Sequence, residues 1–159
     1  MQLCGKEDQS MNKKKSPLLL TLSAYYGVLQ CLHFLILLRA GILLFFYQKV
    51  PFPILPPQGG WNPQTLPFMF GLAGIDMIGI FLGILFAFKT VFKTSIQPVL
   101  GLTSLTIFIS GALVFAAGTL PSGAWAAHPI SYTAMAIFFL PIPLLYVKLL
   151  LVKTNPKEL

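Results

Sequence analysis

The sequence predicts an all-α fold, a four-helix transmembrane bundle whose N and C termini are both cytoplasmic. The first observation is composition: 56% of the 159 residues are hydrophobic and only 9% are charged, whereas a soluble domain carries roughly 25% charged residues. The second observation is a set of long apolar stretches, and the third is the clustering of lysines at particular loops and ends. This composition excludes a soluble monomer and also a disordered chain.

The first apolar stretch, about 18–46, is longer than the ~20 residues that cross a bilayer, so we expect it to tilt or to project outward. It follows a polar, basic N-terminal tail, residues 1–16, that ends in a run of lysines at 13–15. Lysines followed by an apolar run resemble a signal peptide. This run is too long for one and no small-residue cleavage site follows it, so we expect a retained transmembrane helix.

Three further apolar stretches, at about 66–88, 98–120 and 130–152, are each long enough to span a bilayer. Together with the first stretch they form a single domain over 17–152, and a short C-terminal tail follows at 153–159. The chain lacks the period-2 alternation of a membrane β-barrel. The four stretches therefore predict a helical bundle.

The lysines predict the orientation of the bundle. They lie in the N-terminal tail, in the loop between the second and third spans, and at the C-terminal end, whereas the other two loops hold only Lys49. Basic residues collect on the cytoplasmic side of membranes, so we place both termini and the middle loop in the cytoplasm. Lysine-rich tails and the absence of glycosylation sequons favour a bacterial cytoplasmic membrane.

A single acidic residue, Asp76, lies within a predicted span. A carboxylate at the bilayer centre costs roughly 2.5–3.5 kcal/mol on insertion scales, so it should face the bundle interior and have a partner. Gly79 and Gly83 lie on the same helical face and have the small-xxx-small spacing that lets another helix approach closely. We expect these two glycines, together with Gly111 of the third span, to be helix-packing positions.

Two basic side chains of the first span are candidate partners for Asp76. At 1.5 Å per residue, Asp76 lies about 15 Å below the outer helix end, Arg39 about 9 Å and His33 about 18 Å. One interpretation is an Arg39–Asp76 ion pair that locks the two helices. In a second interpretation, the Arg39 side chain extends to the lipid headgroups, and a neutral Asp76 forms a hydrogen bond with a threonine or serine hydroxyl. The third is a proton- or ligand-binding site made by Asp76, with or without His33.

The fourth span contains Pro141 at about the same depth as Asp76. Proline removes a backbone donor and frees a carbonyl one turn earlier in the helix. A kinked helix beside a carboxylate near the midplane is typical of transporter pockets, so Pro141 is a ligand-site candidate. An ordinary proline kink, which membrane helices tolerate well, is the simpler interpretation and the one we favour.

Motifs that carry chemistry are sparse. The chain has no CxxC, nucleotide-binding loop or nucleophile elbow, so we predict no catalytic residue, no metal site and no cofactor. The net charge of +7 follows from membrane topology, and we predict no nucleic-acid partner. The expected partners are the lipid bilayer and either further copies of the chain or a larger membrane complex.

These observations leave three functions open. The favoured one is a structural or accessory bundle that packs with itself or with a larger membrane complex. The second is a ligand-binding or proton-coupled small-molecule transport bundle centred on Asp76. The third is a membrane enzyme acting on an apolar or lipid substrate with Asp76 and His33 as acid and base, and it is the weakest because two such groups support nothing beyond acid–base catalysis.

Overall fold

The computed structural model describes residues 16–47, 55–62, 64–93 and 96–154, without the side chain of Leu66. Most of the two predicted tails, residues 1–15 and 155–159, lies outside the described residues. The described part is helical throughout its long segments and holds no strand.

Six α-helices follow one another along the described ranges: α1 Pro17–Tyr47, α2 Thr65–Phe92, α3 Pro98–Thr119, α4 Ala124–Ala127, α5 Pro129–Phe139 and α6 Pro141–Thr154. A 3-10 turn, Leu120–Ser122, connects α3 to α4. Four helical segments are long and apolar enough to cross a membrane, and the fourth consists of α5 and α6 together. The predicted all-α fold is confirmed, as is the presence of four helices long and apolar enough to span a membrane.

Proline opens several of these helices. Pro17, Pro98, Pro129 and Pro141 are each the first residue of a helix, a position where the missing N–H has no helical partner to lose. Helix α1 has 31 residues, which makes it about 46 Å long and longer than the hydrocarbon core of about 30 Å. In a bilayer, a helix of this length would tilt or extend beyond the hydrocarbon core.

The helices pack closely at one end of the bundle and separate at the other. Helix α2 lies between α1 and α3, and α6 packs against α3 and α1, whereas α5 makes its close helix contacts with α4 and α6, its neighbours along the chain. We call the end that carries α6 and the α2–α3 loop the closed end. The opposite end, where α5 stands away from α2, is the open end.

The hydrophobic core lies at the closed end. Its buried members include Leu19, Leu22, Tyr26, Phe86, Leu102, Leu105, Phe108, Ile142, Leu145 and Leu149. Gly27 lets α1 approach α2 closely, since a Cβ there would lie 2.6 Å from the Cβ of Ala87. This contact places Gly27 directly opposite Ala87 in the two antiparallel helices.

The break between α5 and α6 falls at Leu140, as expected from the proline that follows. The Leu140 N–H donates to the Ile137 carbonyl over 3.1 Å, so this carbonyl keeps a partner although Pro141 has no N–H to offer it. The next carbonyl, of Phe138, accepts a hydrogen bond of 2.6 Å from the Tyr25 hydroxyl of α1. Both of these carbonyls thus have a donor within the bundle itself.

The two loops at the open end are joined to each other. The Tyr132 hydroxyl donates to the Leu55 carbonyl over 2.9 Å, and Nε2 of His128 lies 3.0 Å from the Pro56 carbonyl oxygen. Trp125 stacks on Tyr132 with ring centroids 5.0 Å apart. These contacts hold the end of the first loop against α4 and α5.

Candidate ligand-binding site

A cavity of about 360 Å³ lies at the open end, between α1, α2, α3 and α5. It exists because α5 does not close against α2, while α4 covers part of its rim through Trp125. Apart from Asp76, His33 and the indole of Trp125, its walls are made of apolar side chains and glycine: Leu37, Ala40, Leu44, Met69, Phe70, Leu72, Ala73, Phe108, Gly111, Ala112, Leu113, Phe115, Ala116, Met135, Ala136 and Phe139. Its volume lies in the range of small-molecule pockets, about 300–1,000 Å³.

Asp76 and His33 face each other across this cavity. The Oδ2 atom of Asp76 lies 4.0 Å from Nε2 of His33, and the two side chains are 16% and 28% exposed, respectively. This separation is longer than a hydrogen bond, so a water molecule or a ligand group between them can bond both. The structure therefore brings together two of the residues singled out from the sequence.

Gly111 of α3 makes room for the carboxylate. A Cβ at this position would lie 2.6 Å from Oδ1 of Asp76, so any side chain larger than hydrogen would displace the carboxylate. Gly111 was predicted as a packing position, and in the structure the group that packs against it is the Asp76 side chain itself.

Arg39 lies away from this site. It is exposed on α1 and does not line the cavity. Among the described residues, the basic side chain within 4.0 Å of Asp76 is His33. The six-residue offset explains this geometry, because it turns the two basic side chains about 120° apart on the helix.

Pro141 also lies outside the cavity wall, which at this level is formed by Phe139 of α5. The proline ends the α5 segment and thereby positions Phe139, whose ring stacks on Phe108 with centroids 5.0 Å apart and planes 8° from parallel. Its contribution to the site is indirect, through the direction of α5.

Gly79 and Gly83 lie where α2 meets α1 and α3. A Cβ on Gly79 would approach Cγ2 of Ile107 to 2.9 Å. A Cβ on Gly83 would meet Oγ of Ser104 at 2.8 Å and Cγ of Gln30 at 2.9 Å. Both glycines are buried between helices, in the geometry that small-xxx-small spacing produces.

A second polar group, at the closed end, was missed from the sequence. The Tyr26 hydroxyl and Ser104 hydroxyl are 2.7 Å apart, and Ser104 donates to the Gly79 carbonyl over 2.8 Å. Gln30 and Ser23 lie fully buried on the same side of α1. The signal was present, because residues 23, 26, 30 and 33 are polar and recur at helical spacing within an otherwise apolar run.

Phe108 separates this polar group from the cavity. Its ring lines the cavity, meets the His33 ring edge-on at 6.2 Å, and meets the Tyr26 ring edge-on at 5.7 Å. The side chain is only 5% exposed. The Phe108 ring therefore bounds the polar end of the cavity, and the buried hydroxyls of Tyr26 and Ser104 lie on the other side of this ring.

The chemistry available at the cavity is that of one carboxylic acid and one imidazole. The described lining holds no serine, threonine, cysteine or lysine, and no group of three metal-ligating side chains occurs among the described residues. The site can accept a hydrogen bond or a positive charge, and it can hold or transfer a proton. No protein-family model, characterised protein or solved structure matches this chain.

Proposed function

We propose that this four-span membrane protein binds a small, largely apolar molecule with a protonated amine in the cavity beside Asp76. The observation that carries the proposal is a carboxylate facing His33 inside an apolar, aromatic-lined cavity of about 360 Å³. An uncompensated carboxylate at this depth is costly. An ammonium group from a ligand would offset that cost.

The walls favour the same ligand chemistry. Phe70, Phe108, Phe115, Phe139 and Trp125 line the cavity, and aromatic faces attract cations within about 6 Å of the ring. An apolar body would fill the space between α5 and the other helices, and the amine would lie at the Asp76 end. No described lysine or arginine lines the cavity to compete for the carboxylate.

The accessory bundle favoured by the sequence alone gives no role to this arrangement. Such a bundle needs packing surfaces, and a lined cavity with an acid at one end adds only cost to it. The enzyme alternative needs more than an acid and an imidazole, and the described lining supplies no nucleophile. Ligand binding gives the Asp76 carboxylate and the aromatic walls of the cavity a role.

We propose in addition that the closed end is cytoplasmic and that the cavity opens toward the outer leaflet. Lys89, Lys93 and Lys153 lie at or near helix ends at the closed end, and Lys148 lies within the last two turns of α6, where the positive-inside rule expects basic residues. Impermeant thiol labelling of single cysteines introduced at Lys93 and at Trp61 in intact cells would give the orientation. Labelling at position 93 rather than 61 would contradict it.

A matched set of probes tests the binding proposal. The set is 2-phenylethylamine, 2-phenylethanol and 3-phenylpropionate, which share a ring and differ in charge. Purified protein in nanodiscs is titrated with each, and binding is followed by isothermal calorimetry. We expect the amine to bind at least about ten-fold more tightly than the alcohol, and the carboxylate not to bind, because charge complementarity sets the order.

Two variants complete this test. Asp76→Asn should remove the preference for the amine, while Arg39→Gln, which changes an exposed charge on the same membrane half, should leave all three titrations unchanged. Equal affinity for the amine and the alcohol in the parent protein would refute the proposed ligand class. Absence of binding by every probe would refute a site for molecules of this size.

A further inference from the structure

The buried polar side chains at the closed end continue from the cavity toward the α2–α3 loop. His33 and Gln30 are one turn apart on α1, and Ser23 lies two turns beyond Gln30 on the same face. Tyr26 and Ser104 fill the interval between them through their 2.7 Å contact. These side chains, Ser23, Tyr26, Gln30 and Ser104, are called the polar line below.

The polar line contains atoms that the protein itself does not satisfy. Gln30 and Ser23 are each 0% exposed. The Gln30 amide adjoins the Tyr26 hydroxyl, but neither of its side-chain atoms, nor Oγ of Ser23, has a hydrogen bond of good geometry with a described residue. Buried polar groups nearly always have a partner, and bound water supplies it where the protein does not.

Glycine provides the space along this line. Gly83 lies where Ser104, Gln30 and Tyr26 converge, and a Cβ there would come within 3.1 Å of an atom of each. Thr90 of α2 is fully buried as well, and the position of Gly27 opposite Ala87 places it level with Ser23. Polar groups from α1, α2 and α3 thus converge over about three helical turns below His33.

We propose that the polar line is a water-containing proton path from the α2–α3 loop side of the membrane to the Asp76–His33 pair. Along it a proton is accepted by a hydroxyl or water oxygen, which releases its own proton to the next oxygen, so only O–H bonds are made and broken until the last transfer, which forms an O–H bond on Asp76 or an N–H bond on His33. The Phe108 ring lies between the polar line and the cavity, so the proton must pass this ring to reach the pair. The carboxylate thereby meets its ligand from one side of the membrane and its proton from the other.

The groups that face Asp76 allow it to exchange a proton with the path. Among the described residues, α1 presents His33 to it, α3 presents Gly111 and Phe108, and α5 presents apolar side chains. Tyr26 is the nearest titratable group beyond Phe108, and Arg39 is exposed elsewhere. Proton transfer at the site therefore concerns His33 and Asp76, with Tyr26 as the first group of the path.

Cysteine reactivity tests whether water reaches the polar line, and it needs no ligand. In a Cys4→Ser, Cys31→Ser background, Ser23→Cys and Ser104→Cys are near-isosteric changes, and Leu22→Cys and Leu105→Cys are buried apolar controls from the same two helices. A charged methanethiosulfonate is added from the α2–α3 loop side of oriented proteoliposomes. Because only a hydrated thiol ionises and reacts, we expect both serine positions to react about ten-fold faster than the controls.

A second measurement tests proton movement. Phe108→Ala should join the cavity to the polar line and make vesicles leak protons, whereas Phe139→Ala, which also opens the cavity wall, should not. Gln30→Leu added to Phe108→Ala should suppress the leak, which a leak from misfolding would not show. Any one of three results would overturn the path. These are no reaction of the cysteines at positions 23 and 104, no proton leak in Phe108→Ala, and a leak that Gln30→Leu leaves unchanged. None of these outcomes depends on whether the cavity binds an amine.

Discussion

The carboxylate of Asp76 and the imidazole of His33 approach to 4.0 Å across the inner end of an apolar cavity. Each comes from a different spanning helix, and α3 contributes Gly111 so that the carboxylate can lie against its backbone. The pair is close enough to share a water or a ligand group and too far apart for a direct hydrogen bond. This relationship leaves the Asp76 carboxylate without a direct hydrogen bond to His33.

The stability of Asp76→Asn follows from this geometry. The amide keeps the shape of the side chain and removes its charge, and because Arg39 points elsewhere no ion pair with an arginine is lost. We expect the melting temperature of the purified protein to rise by a few degrees, about 1 kcal/mol, since a charge in the membrane interior costs free energy. A clear fall, with the exposed Arg39→Gln as the unchanged control, would show instead that the carboxylate has a structural partner.

Gly111→Ala should separate binding from stability. The added methyl group would lie 2.6 Å from Oδ1 of Asp76, and the carboxylate, as the end of a flexible side chain, can turn away at little cost. We expect 2-phenylethylamine to bind about ten-fold more weakly, a loss of about 1.4 kcal/mol. Thermal stability should change by less than about 1 kcal/mol.

The control for Gly111→Ala is Gly74→Ala. Gly74 lies on α2 near the cavity, and a Cβ there meets nothing within 4 Å, so amine affinity should not change. Calorimetry and thermal melts on the same preparations check both variants. Equal amine affinity in Gly111→Ala and in the parent protein would contradict the position assigned to the carboxylate.

Gly83→Ala should destabilise the closed end. Its methyl group would be within 3.1 Å of atoms from Tyr26, Gln30 and Ser104 at once, so relief of one contact tightens another. Overpacking of this kind costs typically about 1–3 kcal/mol. Gly71→Ala, on the same helix and with open space at the Cβ, should be neutral or slightly stabilising; similar unfolding of the two variants in a detergent denaturation series would count against this packing.

Tyr25→Phe should loosen the kink between α5 and α6. The hydroxyl donates to the Phe138 carbonyl over 2.6 Å, and that carbonyl is left without this donor in the variant. We expect a loss of about 1 kcal/mol and faster amide hydrogen exchange around Leu140. Tyr47→Phe, at the exposed end of α1, is the control, and equal exchange in the two variants would argue against a role for this bond.

Much of the fold was predictable because bilayer physics acts on local composition. Stretches of apolar residues about as long as a membrane is thick predicted four spanning helices, and the structure has four helices long and apolar enough to span one. The break at Pro141 was also predictable, since proline lacks the N–H that a helix interior requires. The Phe138 carbonyl at this break accepts a hydrogen bond from Tyr25, which lies more than a hundred residues earlier in the sequence. This contact depends on tertiary packing alone.

The sequence alone identifies Asp76 as the acid that bears the free-energy cost of the membrane interior. It also predicts that Arg39 and His33, about 120° apart on their helix, could both face Asp76 only if it lay between them. Which of the two does so depends on the rotation of α1 about its axis, and a helix that is apolar on nearly every side leaves that rotation undetermined. Tertiary packing decides it through contacts such as Gly27 against Ala87. The same packing leaves α5 apart from α2, and the cavity is the consequence.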